Sequence, residues 1–298
     1  MDSRRIARNL VALLAAAASV AALGTSARAD AVKDAIKCRG AIIKAAAGFV
    51  QATAKALQRC EEAKVKTKLP RATVCRDEPR KTVPTIMKAR TKLSRSIVKR
   101  CAGKDKTCGT RDPDGSEPSL ATIGWDIVQC PNFESGSCTN AIHDCNDIPT
   151  CIECISEAAI DQAIGLYYGA LVSSAPTSKD KAGKVLNKCQ VTLGKAATKF
   201  LVAKSKSLAK CWSAVNKAGS GHCPDGVAAA AIAAADSKKQ IAIKKACQGP
   251  DKLFGTGDDL TRADIGFVDP CLGVASPAAR HVRTPSTPSA TSSPASTA

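Results

Sequence analysis

The sequence is poor in aromatic side chains and in histidine. Its 298 residues include five Phe, two Tyr and two Trp, and the histidines are His143, His222 and His281. So few aromatic rings give little support for base stacking, and we do not expect nucleic acid as a partner. The Gly-x-Ser-x-Gly, HExxH, Walker, GxGxxG and CxxCH patterns are missing. These absences argue against the common catalytic and haem sites. We therefore expect no enzyme, no catalytic residue, no cofactor and no metal.

A long apolar run occurs only near the start of the chain. LVALLAAAASVAALG follows the basic stretch MDSRRIARN, and Ala27-Arg28-Ala29 precedes Asp30. A basic segment, then an apolar segment, then a small-x-small tripeptide is the order typical of a secretory signal peptide, which here comprises residues 1–29. The run is short and rich in alanine, so we expect no membrane span in the mature chain. These features predict export to the periplasm, the cell surface or the medium.

All fifteen cysteines lie after the predicted signal peptide. Exported chains rich in cysteine usually form disulfides, because their compartment is oxidising. Helices rich in alanine bury little area, so covalent links are expected to supply part of the stability. Fifteen is an odd number, so at least one cysteine has no partner within the chain.

Charge is divided into blocks along the sequence. Residues 31–107 contain 21 basic and 6 acidic side chains, and residues 176–252 contain 15 and 4. Residues 108–175 contain one basic and ten acidic side chains. This division predicts that basic helices dock on an acidic module, within one chain or between chains. It also allows an anionic polymer as a partner.

Two cysteine-bounded stretches repeat. Residues 37–60 read KCRGAIIKAAAGFVQATAKALQRC, and residues 188–211 read KCQVTLGKAATKFLVAKSKSLAKC. Apolar positions recur every three or four residues, which predicts helices. Twenty-two residues of helix make six turns plus about 40°, so the two cysteines of each stretch face nearly the same way about 33 Å apart. We expect Phe49, Phe200 and Trp212 to fill the core.

Each repeated stretch is followed by a turn and a second helical segment with its own cysteines. An antiparallel pair of helices places one cysteine pair at the turn and another at the open end, within the roughly 7 Å that a disulfide requires between Cα atoms. The predicted pairs are Cys60–Cys75 and Cys38–Cys101 in the first hairpin, and Cys211–Cys223 and Cys189–Cys247 in the second.

The repeat continues beyond the hairpins and then stops. GKDKTCGTRDPDG (103–115) aligns with GPDKLFGTGDDL (249–260), and IGWDIVQC aligns with IGFVDPC. The second copy then ends in a Ser/Thr/Pro/Ala tail, which we expect to be disordered. Cys271 aligns with Cys130, but the cysteines that would follow it are missing. We therefore predict that Cys271 is a free thiol or forms an intermolecular disulfide.

The predicted organisation has five parts, and its fold class is mainly α, with two disulfide-stapled antiparallel helical hairpins and an irregular Cys-rich insert. The parts are a signal peptide (1–29), a first hairpin (30–107), an acidic Cys-rich module with a terminal helix (108–175), a truncated second repeat with its hairpin (176–273) and the tail (274–298).

The acidic module admits three interpretations. Its cysteines are most simply structural, but sequence alone leaves the connectivity of Cys108, Cys130, Cys138, Cys145, Cys151 and Cys154 open. Zinc could use Cys138, Cys145, Cys151 and Cys154 with His143 nearby. The Cys151-Ile-Glu-Cys154 pattern could exchange disulfides if a helix began just after it. Separately, the Asp-rich turns around Asp112 and Asp251 could bind calcium, although neither has the glutamate of an EF-hand.

The Cys-bounded Lys/Ala-rich stretches, FGTGDDL…ADIGF and the CIECISEAAIDQAIGLYY region resemble Cys-rich helical-repeat proteins exported by environmental bacteria. The likeness covers most of residues 31–273 and implies no activity and no functional residue. The function predicted from sequence is a non-catalytic exported structural or binding protein. One alternative is a cationic binder of anionic envelope polymers. The other is a metal-dependent or thiol-redox enzyme that uses the Cys-rich module. Self-association of basic with acidic segments is a further expectation.

Overall fold

The fold is built from α-helices. The computed structural model describes residues 3–110, 116–132, 137–169, 171 and 181–266, with backbone alone for 3–29, 181 and 182. Within these ranges no strand forms, and Gln129 and Ala141 make an isolated β-bridge. The predicted mainly α, disulfide-stapled fold is confirmed. The helices are α1 (Ser3–Val65), α2 (Thr82–Cys101), α3 (Leu120–Ile123), α4 (Asp147–Tyr168), α5 (Lys181–Ala218), α6 (Gly226–Cys247) and α7 (Arg262–Ile265).

Helix α1 is long because it continues without a break through the predicted cleavage site before Asp30. In the described ranges, no helix combines the length and apolar character needed to cross a bilayer. Cys271, predicted to be a free thiol or to form an intermolecular disulfide, and the predicted tail at 274–298 lie outside the described residues.

The first hairpin packs α1 against α2 through large apolar side chains. Phe49 and Ile42 of α1 join Leu93 and Ile97 of α2 in one buried cluster, and all four are at most 6% exposed. Burying side chains of this size contributes about 1.5–3 kcal/mol each. The first hairpin therefore has a core of its own besides its disulfides.

The second hairpin, α5 with α6, has a much thinner core. The buried residues of α6 are Ala228, Ala246 and Cys247. The alanine-rich sequence GVAAAAIAAADSKKQIAIKKAC strongly favours helix but offers few large side chains to bury. Asp225 caps the start of α6 by accepting a hydrogen bond from Ala228 N at 2.7 Å.

The two hairpins meet through α1 and α5. Asn216 Nδ2 on α5 donates a hydrogen bond to the Ile36 carbonyl of α1 at 2.8 Å, and Gly40 of α1 faces the same amide. Further along, Leu201 packs against the buried cluster that contains Leu57. Helices α1 and α5 thus form the centre of the protein.

Helix α4 covers the first hairpin and reaches α5. Ile160, Ile164 and Tyr168 pack into the cluster that contains Leu57 and Ile86. At Gly194 of α5 the Tyr168 ring lies where a Cβ would stand. The acidic module is therefore held between both hairpins.

The repeat is visible in the turns that follow each hairpin. Asp105 Oδ1 accepts a hydrogen bond from Thr107 N, and Asp251 Oδ1 accepts one from Leu253 N, each at 2.8 Å. The residues between them, Lys106 and Lys252, have φ of 63° and 61°. The same side chain thus shapes the same backbone turn in both copies.

Candidate functional site

The eight hairpin cysteines form the four disulfides that hairpin geometry predicts. The open-end pairs have Cα atoms 4.7 Å apart in both hairpins, and the turn pairs have Cα atoms 5.7 Å and 5.9 Å apart. All four distances lie in the ordinary range for disulfides. The bonds are Cys38–Cys101, Cys60–Cys75, Cys189–Cys247 and Cys211–Cys223.

The six cysteines of the acidic module form three further disulfides. These are Cys108–Cys145, Cys130–Cys151 and Cys138–Cys154, with Cα separations of 5.4, 5.5 and 5.7 Å. They tie the irregular chain before α4 to the first turns of that helix and to the turn after α2. The sequence left this connectivity open, because the intervening segments have no regular spacing.

The CxxC motif does not stand at a helix start. Helix α4 begins at Asp147, so Cys151 and Cys154 lie inside it, and the prediction of a start after Cys154 is wrong. Each of the two sulfurs is bonded to a cysteine outside the motif. A disulfide sulfur is not a thiolate, so in this oxidised form the proposed zinc set of Cys138, Cys145, Cys151 and Cys154 has no ligand to offer. His143 is exposed beside this network.

Carboxylates near the turns are occupied by backbone donors. Glu117 lies close to the sulfurs of Cys108 and Cys145, but those sulfurs are bonded together, and Glu117 Oε1 accepts a hydrogen bond from Gly109 N at 2.8 Å. In the second copy, Asp259 accepts hydrogen bonds from the N–H groups of residues 249, 255 and 256. These carboxylates hold turns together. Asp112, the other predicted calcium position, lies outside the described residues.

Two arginines of the first hairpin pair with three carboxylates on the acidic face of α4. Arg76 pairs with Asp161 at 2.7 Å and with Glu157 at 3.2 Å, and Arg90 pairs with Glu157 at 2.8 Å and with Glu153 at 2.6 Å. Burial of the Arg76 guanidinium lowers its pKa, but the hydrogen bonds that it donates to Asp161 and Glu157, and the charges of these carboxylates, outweigh burial and raise the pKa of Arg76. Burial raises the pKa of Glu153. Basic-on-acidic docking thus occurs within the chain.

A second feature of each hairpin is a basic groove. Groove 1, of about 780 Å³, runs between α1 and α2 and is bordered by the end of α5. Groove 2, of about 630 Å³, runs between α5 and α6. Among the described lining residues, neither groove contains a carboxylate. The cations are Lys37, Lys44, Lys92, Lys99, Arg100 and Lys217 in groove 1, and Lys195, Lys199, Lys206, Lys238 and Lys239 in groove 2.

The two grooves occupy equivalent positions of the repeat. When Cys38 is aligned with Cys189, Lys44 falls on Lys195, and the floor residues Ala45 and Ala52 fall on Ala196 and Ala203. When Cys101 is aligned with Cys247, Lys92 falls on Lys238. Each hairpin therefore places a lysine on either wall of an alanine-lined floor, on the same face of its helix pair.

Lysines Lys44, Lys92, Lys195 and Lys238 are exposed. In the described part of the chain, the lysines that form ion pairs are other ones, such as Lys64 with Glu61 and Lys239 with Asp236. The four equivalent lysines thus face solvent across the grooves, and no carboxylate of the described residues is paired with them.

Sequence reasoning identified the lysine-rich helices but not the grooves. A groove depends on which lysine of one helix lies opposite which lysine of the next, and the sequence of a single helix does not contain that register. The usable signal was the coincidence of Lys44 with Lys195 and of Lys92 with Lys238 under the repeat alignment. The prediction that Trp212 fills the core is wrong: its side chain is 45% exposed.

Comparison of the chain with protein-family models, curated proteins and solved structures gave no match.

Proposed function

We propose that this chain is a non-catalytic exported binding protein whose basic helical surface holds an anionic polymer of the cell envelope. The observation that carries the proposal is that the cations paired with the acidic module are not those that line the grooves. Arginines Arg76 and Arg90 are engaged by the carboxylates of α4, whereas lysines such as Lys44 and Lys195 remain exposed. The described part of the acidic module therefore leaves the lysine surface open to an outside partner.

The charge of the chain supports an anionic partner. Without the predicted signal peptide, 40 basic and 25 acidic side chains leave a formal net charge of +15. A surface with this balance attracts polyanions at a distance, and the attraction weakens as salt screens it. A rigid frame also keeps the lysines in place at low entropic cost, and here seven disulfides provide that frame.

A non-catalytic role agrees with the state of the cysteines. The sulfurs of Cys151 and Cys154 tie α4 to the irregular segment before it, so they act as cross-links. Zinc binding or thiol exchange at Cys151 and Cys154 would first require these bonds to be reduced.

Chromatography on charged and neutral polysaccharide tests the proposal. The chain beginning at Asp30, produced in an oxidising compartment, is passed over heparin-substituted agarose and over unsubstituted agarose. We expect retention on the charged matrix at about 50 mM salt and release by about 0.5 M, because screening shortens the reach of exposed charges. Passage through both matrices at low salt, or equal retention on both, would refute the function.

A further inference from the structure

We propose that groove 1 and groove 2 are two equivalent binding sites, each taking a segment of a linear acidic polysaccharide. The inference rests on the proposed function and specifies where the polymer lies and what it is. Its starting observation is that the repeat preserves a lysine on each wall, Lys44 and Lys92 in one groove and Lys195 and Lys238 in the other.

The grooves have the length and charge spacing for an extended polyanion. The lining residues of α5 in groove 2 extend from Thr192 to Ser207, a rise of about 22 Å at 1.5 Å per residue. Along that wall Lys195, Lys199 and Lys206 follow one another at about 6 and 10 Å. A ligand with a single charge would use one of these cations, whereas a polymer with a charge on each sugar or disaccharide uses all of them.

The floor of groove 2 favours a thin chain over an α-helix. Where α4, a helix, docks on the first hairpin, large side chains such as Leu57 and Ile86 interlock with those of α4. In groove 2 most of the floor consists of alanines, among them Ala196, Ala203 and Ala235, with Phe200 beside them. Alanines offer little apolar area for the interlocking side chains that hold a helix in a groove.

The grooves are poorly suited to single-stranded nucleic acid. Stacking of bases needs an open aromatic face. Phe49 in groove 1 is only 2% exposed, and the ring of Phe200 in groove 2 lies under the Lys239 ammonium at 4.5 Å from its centroid. Neither groove therefore offers a bare ring, whereas sugars with carboxylate or sulfate groups need only the lysines.

The test compares two variants that lose the same charge. The groove variant carries Lys44→Gln, Lys92→Gln, Lys195→Gln and Lys238→Gln. The control variant carries Lys55→Gln, Lys88→Gln, Lys204→Gln and Lys210→Gln, four exposed helical lysines that line neither groove. Because all eight side chains are exposed, we expect both variants to keep the helical circular dichroism and the disulfides of the parent chain.

Binding is measured by titration calorimetry with size-fractionated heparin oligosaccharides at several salt concentrations. We expect the groove variant to bind with an affinity about tenfold or more below that of the parent chain. The slope of the logarithm of its affinity against the logarithm of the salt concentration should fall in magnitude by about two per site, one for each removed contact. The control variant should lose less than about threefold. Lysine-to-arginine changes at the four groove positions should retain binding, because the charge remains.

The outcomes separate this inference from the proposed function. If the parent chain binds and the two variants lose affinity equally, binding is spread over the surface and the grooves are not the sites. If the parent chain does not bind, the proposed function itself fails. If the parent chain self-associates at low salt and the oligosaccharide does not compete, we infer that the grooves bind a second copy of the chain. That result would refute the proposal that they bind polysaccharide.

Discussion

At the scale of the residue, one carboxylate determines where α2 begins. Glu78 accepts hydrogen bonds from the N–H groups of Arg80, Lys81 and Thr82, at 2.8, 3.0 and 2.8 Å. Thr82 is the first residue of α2, Lys81 is its N-cap and Arg80 precedes it, so this carboxylate binds N–H groups at the helix start that have no partner within the helix. The bond from Thr82 is the main cause that lowers the pKa of Glu78 to about 2, with those from Arg80 and Lys81 adding to it.

Replacing this carboxylate should change the acid sensitivity of the protein. Because the pKa of Glu78 is lower in the folded chain, its contribution is complete above about pH 5 and is lost as pH falls from about 4.5 towards 2. We expect Glu78→Gln to cost about 1 kcal/mol at pH 7, in line with other helix caps. Urea unfolding at a series of pH values should show parent and variant converging near pH 2. Asp126→Asn, at an exposed position, is the control. A difference in unfolding free energy between parent and Glu78→Gln that stayed constant down to pH 2 would contradict this account.

Two glycines in the middle of helices should respond oppositely to the same change. A Cβ at Gly194 would overlap the Tyr168 ring, whereas a Cβ at Gly48 would meet nothing within 4 Å. We expect Gly48→Ala to raise the free energy of unfolding by about 0.5–1 kcal/mol, because alanine favours helix. Gly194→Ala should lower it by about 1–3 kcal/mol, because α4 must move. Denaturant unfolding with disulfides intact measures both, and stabilisation by both changes would show that Tyr168 is not held against α5.

At the scale of the element, the two hairpins are cross-linked alike but packed differently. Their open-end disulfides close chain segments of similar length, with sequence separations of 63 and 58. In the chain-entropy account the two bonds therefore contribute nearly equally. Helix α2 buries Ile86, Leu93 and Ile97, whereas the buried residues of α6 are two alanines and one cysteine. The second hairpin thus depends more on its disulfides.

Removing the open-end disulfides should expose this difference. In the double variant Cys189→Ala with Cys247→Ala, we expect the amides of α6 to lose hydrogen-exchange protection, because few apolar contacts remain to hold the helix. The matched double variant Cys38→Ala with Cys101→Ala should keep most of the protection of α2. Equal loss in both hairpins would mean that packing does not distinguish them.

The helices and their disulfides could be predicted from the sequence where the regular geometry of an α-helix fixes the direction of each side chain. Cysteines 22 positions apart on a helix face the same way, so the pairs Cys38–Cys101 and Cys189–Cys247 follow from this spacing together with an antiparallel hairpin. The start of α4 was missed although Asp147 and Pro149 are typical first-turn residues. Trp212 was misplaced because it follows the buried Cys211, and neighbouring helical residues point about 100° apart.

At the scale of the whole molecule, the first residue of the mature chain should be Asp30. Helix α1 continues through the predicted cleavage site, so cleavage would create a new helix start that carries Asp30 and Asp34 in its first turns. Acidic residues at that end are favourable for the helix dipole. Intact-mass analysis of exported protein should give the mass of residues 30–298, or a smaller mass if proteolysis has shortened the tail. An exported protein that retains residues 1–29 would remove the basis for the signal peptide.

The cysteine count makes a prediction for the molecule as a whole. Fourteen of the fifteen cysteines form seven disulfides, and the remaining one is Cys271. If every other sulfur is bonded, we expect the protein to be either a monomer with one thiol or a disulfide-linked species with none. Titration of the denatured, unreduced protein with a thiol reagent, read beside a non-reducing gel, distinguishes these forms. The variant Cys271→Ser should give no thiol and no covalent dimer. A monomer with no thiol would require Cys271 to bind another group, and two or more thiols would mean that a described disulfide is absent.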